Sequence, residues 1–155
     1  MKENKITIYT DGAAKGNPGK AGWGAVFITG KKVFELGGGA EHATNNIMEL
    51  TAVIEALKYC KINISRDISV DIFSDSKYVI LGITEWIENW MKNNWRNANK
   101  KPVLNRELWE ELYELNKELK PKWIYVKGHN DHEHNDRADL IATSFAEGDP
   151  VKLRK

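Results

Sequence analysis

Ile6-Thr7-Ile8-Tyr9-Thr10-Asp11-Gly12 alternates apolar and polar residues, then ends in a carboxylate followed by glycine. A period of two marks a half-buried β-strand, here with Ile6 and Ile8 on one face and Thr7, Tyr9 and Asp11 on the other. The turn-rich run Lys15-Gly16-Asn17-Pro18-Gly19 comes next. A second stretch, Val70-Asp71-Ile72-Phe73-Ser74-Asp75-Ser76, closes in the same way. If the two strands are parallel neighbours, Asp11 and Asp75 leave the sheet side by side at its carboxyl end, where α/β sheets bind ligands. Two acids meeting there repel each other unless a cation lies between them. Either Asp alone is equally explained as the cap of a turn or helix; the pair makes a metal site a competing explanation.

Working outward, residues 22–29 and 32–38 read as strands joined by the tight Gly30-Lys31 connection, hence a hairpin. Residues 44–60 read as a helix, with Leu50, Val53, Ile54 and Leu57 at helical spacing and Thr44, Asn45 or Asn46 as its N-cap. Helical patterns follow over 76–81 and 84–92, then an irregular basic segment to Pro102, a leucine-striped helix over 107–119 and a strand over 122–126. A His-rich loop over 128–135 leads into a closing helix over 136–146. A hairpin followed by αβ alternation predicts one α/β domain over 1–155, with a mixed sheet and residues 147–155 as a poorly ordered basic tail.

A chain of 155 residues can bury one proper core. Its hydrophobic fraction of 41% and charged fraction of 29% are those of an ordinary globular protein, which excludes disordered and membrane-embedded classes. No apolar run approaches a membrane span, and no secretory h-region precedes the first strand. The single cysteine, Cys60, excludes an internal disulfide framework and suits a reducing cytoplasm; ending a helical pattern, it reads as packing. The net charge of +1 gives no global pull toward nucleic acid, so any basic footprint must be local. One such footprint exists. Lys92, Arg96, Lys100, Lys101 and Arg106 run without an acid between Met91 and Arg106, next to Trp86, Trp90 and Trp95. Basic residues beside aromatics suit a sugar–phosphate track, while Trp86 and Trp90 also fit part of a core.

Two helical carboxylates lean inward by their spacing. Glu49, read in the first turn of its helix, has Ala52, Val53 and Ala56 three, four and seven positions on. Asp139 shares its side with Ala142 and Ala146. Favouring the helix dipole explains Glu49 alone, and a solvated charge explains Asp139 alone. Acids on the inward side are rarely buried without partners, however. Two strand ends and two helices can bring four acids to one rim, and hard oxygen donors of that kind suit Mg²⁺ or Mn²⁺ rather than zinc.

Five motifs, in order and over nearly the whole chain, resemble those of bacterial type-1 ribonucleases H. They are Tyr9-Thr10-Asp11-Gly12 with Gly16-Asn17-Pro18-Gly19, Thr44-Asn45-Asn46-Ile47-Met48-Glu49-Leu50, Ser74-Asp75-Ser76-Lys77-Tyr78-Val79, Val126-Lys127-Gly128-His129 and Asn135-Asp136-Arg137-Ala138-Asp139. The resemblance implies the ribonuclease H-like α/β fold: a five-stranded mixed sheet, antiparallel in its first three strands and parallel in two more, with helices on both faces. It implies hydrolysis of the RNA strand of RNA–DNA hybrids, leaving 5′-phosphate and 3′-hydroxyl ends, by a cytoplasmic monomer with no membrane partner. By resemblance the catalytic acids are Asp11, Glu49, Asp75 and Asp139, holding two Mg²⁺ (or Mn²⁺) ions with Asp11 between them. His129 corresponds to the family's mobile histidine.

The same resemblance assigns the RNA strand to backbone near Gly12 and to Asn17, Asn46, Glu49 and Lys77, the last standing where glutamine is usual. Thr44 and Asn105 match a pocket for a DNA phosphate, with His42 where arginine is common. Trp86, Trp90, Lys92, Arg96, Lys100 and Lys101 match a substrate-gripping handle. Another two-metal nuclease or transferase, a hybrid-binding module without catalysis and a merely metal-stabilised domain are the other classes. The complete acid set argues against the second, and the handle against the third.

Overall fold

The alternation of the first stretch is realised as the middle strand of a five-stranded sheet ordered β3-β2-β1-β4-β5. The structure is a computed structural model describing residues 5–65, 67–127 and 133–155. β1 (Lys5–Lys15), β2 (Gly19–Thr29) and β3 (Lys32–Ala43) form an antiparallel meander, and β4 (Ser69–Ser74) and β5 (Lys122–Tyr125) join β1 in parallel. This is the expected mixed sheet. Its meander strands run longer than the sequence suggested. After β4 leaves β1 at Thr10↔Ser74, β2 continues to pair with β1 as far as Lys15↔Lys20, so the backbone groups of 12–15 stay satisfied as strand. Likewise Gly37, Gly38 and Gly39 pair with Gly24, Trp23 and Gly22, and β3 does not stop at 38.

Helices cover both faces. On one, α1 (Asn45–Asn63) and α4 (Arg106–Leu119) build the main core: Leu50, Val53, Leu57, Trp109 and Leu112 pack with Ile6 and Ile8. Fully burying each such aliphatic side chain contributes roughly 1.5–3 kcal/mol relative to leaving it in water. On the other face, α5 (Glu133–Ala146) sets Ala138 and Ile141 against Tyr9 and Val26. The two-face reading of β1 is therefore correct. α2 (Lys77–Leu81) and α3 (Ile87–Lys92), expected as separate helical patterns, are joined by one π-helical turn, Gly82–Trp86.

Two helix starts differ from expectation. Thr44 is the N-cap of α1, its Oγ1 accepting from the Ile47 amide at 3.1 Å, so the first turn holds no acid. Glu49 lies beyond that turn, and the helix dipole does not explain it. α5 begins at Glu133 rather than 136, which puts His134 and Asn135 in the helix and not in a loop. The His134 ring lies 5.6 Å from that of Tyr9.

The tail, expected to be poorly ordered, makes specific contacts. Val151 and Leu153 pack on the α5 side, and the Glu35 amide donates to the Arg154 carbonyl at 2.9 Å. Glu35 has a fully buried carboxylate that accepts from Arg137 Nε and Nη2 at 2.8 and 2.9 Å and from the Arg154 amide at 2.9 Å. Arg137 Nη2 also donates to the Lys152 carbonyl. Burial pushes the Glu35 carboxyl up, but the Arg137 hydrogen bonds, the Arg154 amide and the two positive charges outweigh it and leave it below the ordinary range. Removing one partner of a buried pair leaves the other charge uncompensated. Arg137→Ala is therefore expected to lose about 3–5 kcal/mol of stability in urea unfolding at neutral pH. A loss below about 1 kcal/mol would mean the pair is solvated and of little weight.

Candidate active site

The parallel register of β1 and β4 ends at Thr10↔Ser74, so Asp11 and Asp75 are the next residues on adjacent strands. Glu49 reaches them because β1 touches α1. An added Cβ at Gly12 would lie 2.5 Å from the Glu49 nitrogen and the Met48 carbonyl carbon, so only glycine permits this approach. Carboxylate oxygens of Asp11, Glu49 and Asp75 lie within 4.8 Å of one another. Asp139, on α5, comes within hydrogen-bonding reach of Asp11. All four acids line one cleft with Gly12, and the described residues of that cleft also include Asp136 but no lysine or arginine.

Crowding shows in the acid strengths. Burial, then the Asp75 charge, then Asp139 push Asp11 up to about 8, against the opposing hydrogen bond from the Gly12 amide at 2.8 Å. Burial, then the charges of Asp11 and Asp75, raise Glu49 well above the carboxylate range. Glu49 Oε1 is buried without a hydrogen-bond partner. An orphaned carboxylate oxygen among converging acids, with no cation among the described lining residues, is the donor set of a hard divalent ion.

A second, larger groove adjoins the α1 N-terminus. Asn17, Thr44, Asn46, Trp90 and Asn105 line it, together with Tyr78 and Asn97. Asn17 Oδ1 accepts from the Asn45 amide at 3.0 Å, which ties the turn after β1 to the start of α1. The Trp86 and Trp90 rings lie tilted with centroids 6.0 Å apart, and Trp90 meets Trp95, also tilted, at 6.3 Å. Lys92, Arg96, Lys100 and Lys101 are exposed around them. Arg96 Nη1 donates to the Lys100 carbonyl, and Asn97 Oδ1 accepts from the Lys101 amide, so the handle is a hydrogen-bonded loop. Lys77 is exposed, with its Nζ 5.7 Å from the Tyr125 ring centroid. His129 lies outside the described residues, as does His132.

Three residues near the sites were given no role in the sequence reading, although Asn135 and Tyr78 stand within its motifs. Asn135, 2% exposed with Oδ1 unpaired among the described residues, lines the acid cleft. Starting the helix at 136 hid it; from 133, positions 135, 138, 139 and 142 fall on one face. No local pattern marks Tyr125, and the motif that contains Tyr78 does not reveal its partners, which lie 27 and 31 residues away.

A sequence profile of the RNase H family matches residues 3–147. A protein of Cupriavidus pinatubonensis named ribonuclease H is 49% identical over 138 residues, 89% of this chain and 92% of that protein. The solved structure of LC9-RNase H1, described as a type 1 RNase H with the type 2 active-site motif, superposes with a TM-score of 0.83 at 25% identity, covering 96% of this chain and 75% of that one. LC11-RNase H1, solved in complex with an RNA/DNA hybrid, shares the fold with a TM-score of 0.72 at 24% identity over 92% of this chain and 97% of its own.

The raised acids set a stability test. A carboxyl whose folded pKa lies above its unfolded value of 3.8 binds more protons when folded. Without metal, stability is therefore expected to be highest below about pH 4 with respect to this group, and to decline as pH rises toward about 8. Asp11→Asn should flatten that decline and be more stable than the parent at neutral pH in EDTA, by about 1–3 kcal/mol. Melting in EDTA across this pH range decides it; a variant less stable than the parent at neutral pH contradicts the convergence of like charges.

Proposed function

This chain belongs to the ribonuclease H family, and on that premise we propose that Asp11, Glu49, Asp75 and Asp139 are its catalytic acids and hold two Mg²⁺ ions, with Mn²⁺ as a substitute. The protein is an endoribonuclease acting on the RNA strand of RNA–DNA hybrids. The convergence of three carboxylates within 4.8 Å carries the site assignment, and the orphaned Glu49 oxygen supports a cation there. When bound, two such ions supply the charge that activates water and stabilises the attacked phosphate and leaving oxygen.

The chain's own residues do the rest. Asp11, on which both Asp75 and Asp139 act, would help to hold both ions. Glu49 shares α1 with Asn46, which meets the RNA strand together with Asn17. Thr44 and Asn105 take a phosphate of the DNA strand. Lys77, anchored near the Tyr125 ring, adds a cation at the RNA side. Trp86 and Trp90, with Lys92, Arg96, Lys100 and Lys101, grip the duplex beyond the cleft. His129 moves protons or helps product leave. Reading 2′-hydroxyls on one strand and a DNA-like backbone on the other gives hybrid specificity. No helix among the described residues is long and apolar enough to cross a membrane, and the buried free thiol of Cys60 suits a reducing cytoplasm, where we place a monomer leaving 5′-phosphate and 3′-hydroxyl ends.

Labelled RNA–DNA, RNA–RNA and DNA–DNA duplexes, each with Mg²⁺, Mn²⁺ or EDTA, test the reading. Cleavage is expected only for RNA in the hybrid and only with metal. Asp75→Asn should abolish it while hybrid binding persists, and His129→Ala should be slowed without being inactive. Comparable cleavage of RNA–RNA, or full activity in Asp75→Asn, refutes the assignment. Neutralising Lys100 and Lys101 together should raise KM, lower the salt slope by about one per lost phosphate contact and leave kcat nearly unchanged. A collapse of kcat at constant KM would show that the handle is not a grip.

A further inference from the structure

Trp109 is fully buried, and its indole N–H donates to the Tyr78 hydroxyl at 3.1 Å. The ring is fixed on several sides. A Cβ at Gly82, in the π-helical turn, would lie 2.1 Å from it, and the Tyr78 and Trp90 rings meet it edge-on, each at 5.2 Å. An indole N–H can only donate, so the Tyr78 oxygen is an acceptor here. The Asn105 side-chain nitrogen lies 3.1 Å from the same oxygen. Asn105 is the N-cap of α4 in a left-handed conformation, yet its side chain makes no capping bond. An N-cap asparagine ordinarily turns its side chain to the helix amides; this one is turned to Tyr78.

A phenol offers two acceptor positions and one proton. Trp109 fills one acceptor position, which leaves two arrangements. In one, the Asn105 amide donates to Tyr78 and the phenol proton remains free. In the other, with the amide turned over, the phenol donates to Asn105 and the amide NH₂ remains free. Either way one donor is uncommitted, and both residues line the groove of about 550 Å³ beside the acid cleft. The start of α4, uncapped by any side chain, adds its dipole at the same place.

We propose that Trp109, Tyr78 and Asn105 form a positioning relay that aims one hydrogen-bond donor at a single backbone phosphate of the uncleaved DNA strand, with Tyr78 as the positioning residue. The proposal rests on the reading of the Thr44 and Asn105 side of this groove as the contact with the DNA strand.

Tyr78→Phe keeps the ring and its packing and removes only the oxygen. It is expected to raise KM for the hybrid about 3–10-fold, the equivalent of one lost hydrogen bond, and to leave the salt slope nearly unchanged, since no cation is removed. kcat should stay within about two-fold, because binding common to ground and transition state is what is lost. Asn105→Ala should behave the same way, and the double variant should be no worse than either single one. Single methylphosphonate linkages placed along the DNA strand should weaken the parent at one position and leave Tyr78→Phe insensitive there. Thermal melts of all variants fix the folded fraction. A KM change in Asn105→Ala but not in Tyr78→Phe, or effects that add in the double variant, reduces Tyr78 to packing and overturns the relay. If neither variant moves KM while hybrid cleavage continues, the relay holds no phosphate; it is then wrong and the catalytic reading stands. A parent that fails to cleave hybrid overturns both.

Discussion

Mutual repulsion of carboxylates in one cleft is the constraint that the rest of this structure answers to. Asp11, Glu49 and Asp75 stand within 4.8 Å, and burial with like charge drives Asp11 up to about 8. The Gly12 amide relieves this only in part; the scaffold imposes it. Two parallel strands end together, a glycine admits α1 against β1, and α5 lies across β1 and β2 with Asp139 on its inner side. Main-core burial of Leu50, Leu57, Ile72 and Trp109 resists the spread that the charges favour. The arrangement is expensive without a cation and well suited to one, which is the usual relation between stability and function at metal-dependent sites.

Binding and chemistry are served by different parts of the fold. The acids project from strand ends and helices anchored in the core, where positions are fixed. The basic handle is a loop after α3, with Trp86 and Met91 partly exposed and lysines in solvent. Such a loop can tolerate dilution by Asn93, Asn94, Asn97 and Asn99 because its attraction for phosphate is summed over several charges. The cleft has no comparable tolerance, since each carboxylate occupies a position that one element alone can reach.

Much of this was legible in the chain before any coordinates. The period-two alternation of residues 6–11 placed Ile6 and Ile8 on the α1 side and Tyr9 on the α5 side, and two strands ending in Asp pointed to their own juxtaposition. Composition and spacing alone left the metal and capping explanations level; the ordered motifs decided between them. Strand ends were misjudged because the pairing that extends β1 to Lys15 belongs to another strand. Asn135 was given no role because a helix start was set three residues late. Interactions across long separations were invisible: Asn105 meets Tyr78 across 27 residues and Arg137 meets Glu35 across 102, and no periodicity encodes either.

The Glu35–Arg137 pair also bears on the order in which a ribosome delivers this chain. Asp11 is made well before α5, and the meander around it can form from neighbours in sequence. α5 emerges much later, and its Arg137 side chain is completed by the carbonyl of Lys152 and, through Glu35, by the amide of Arg154. During synthesis, therefore, the first three acids can gather while the fourth still lacks its anchor. The buried pair thus ties β3, α5 and the stretch around residues 152–154 together, and α5 gains that part of its anchorage only once residue 154 has been made.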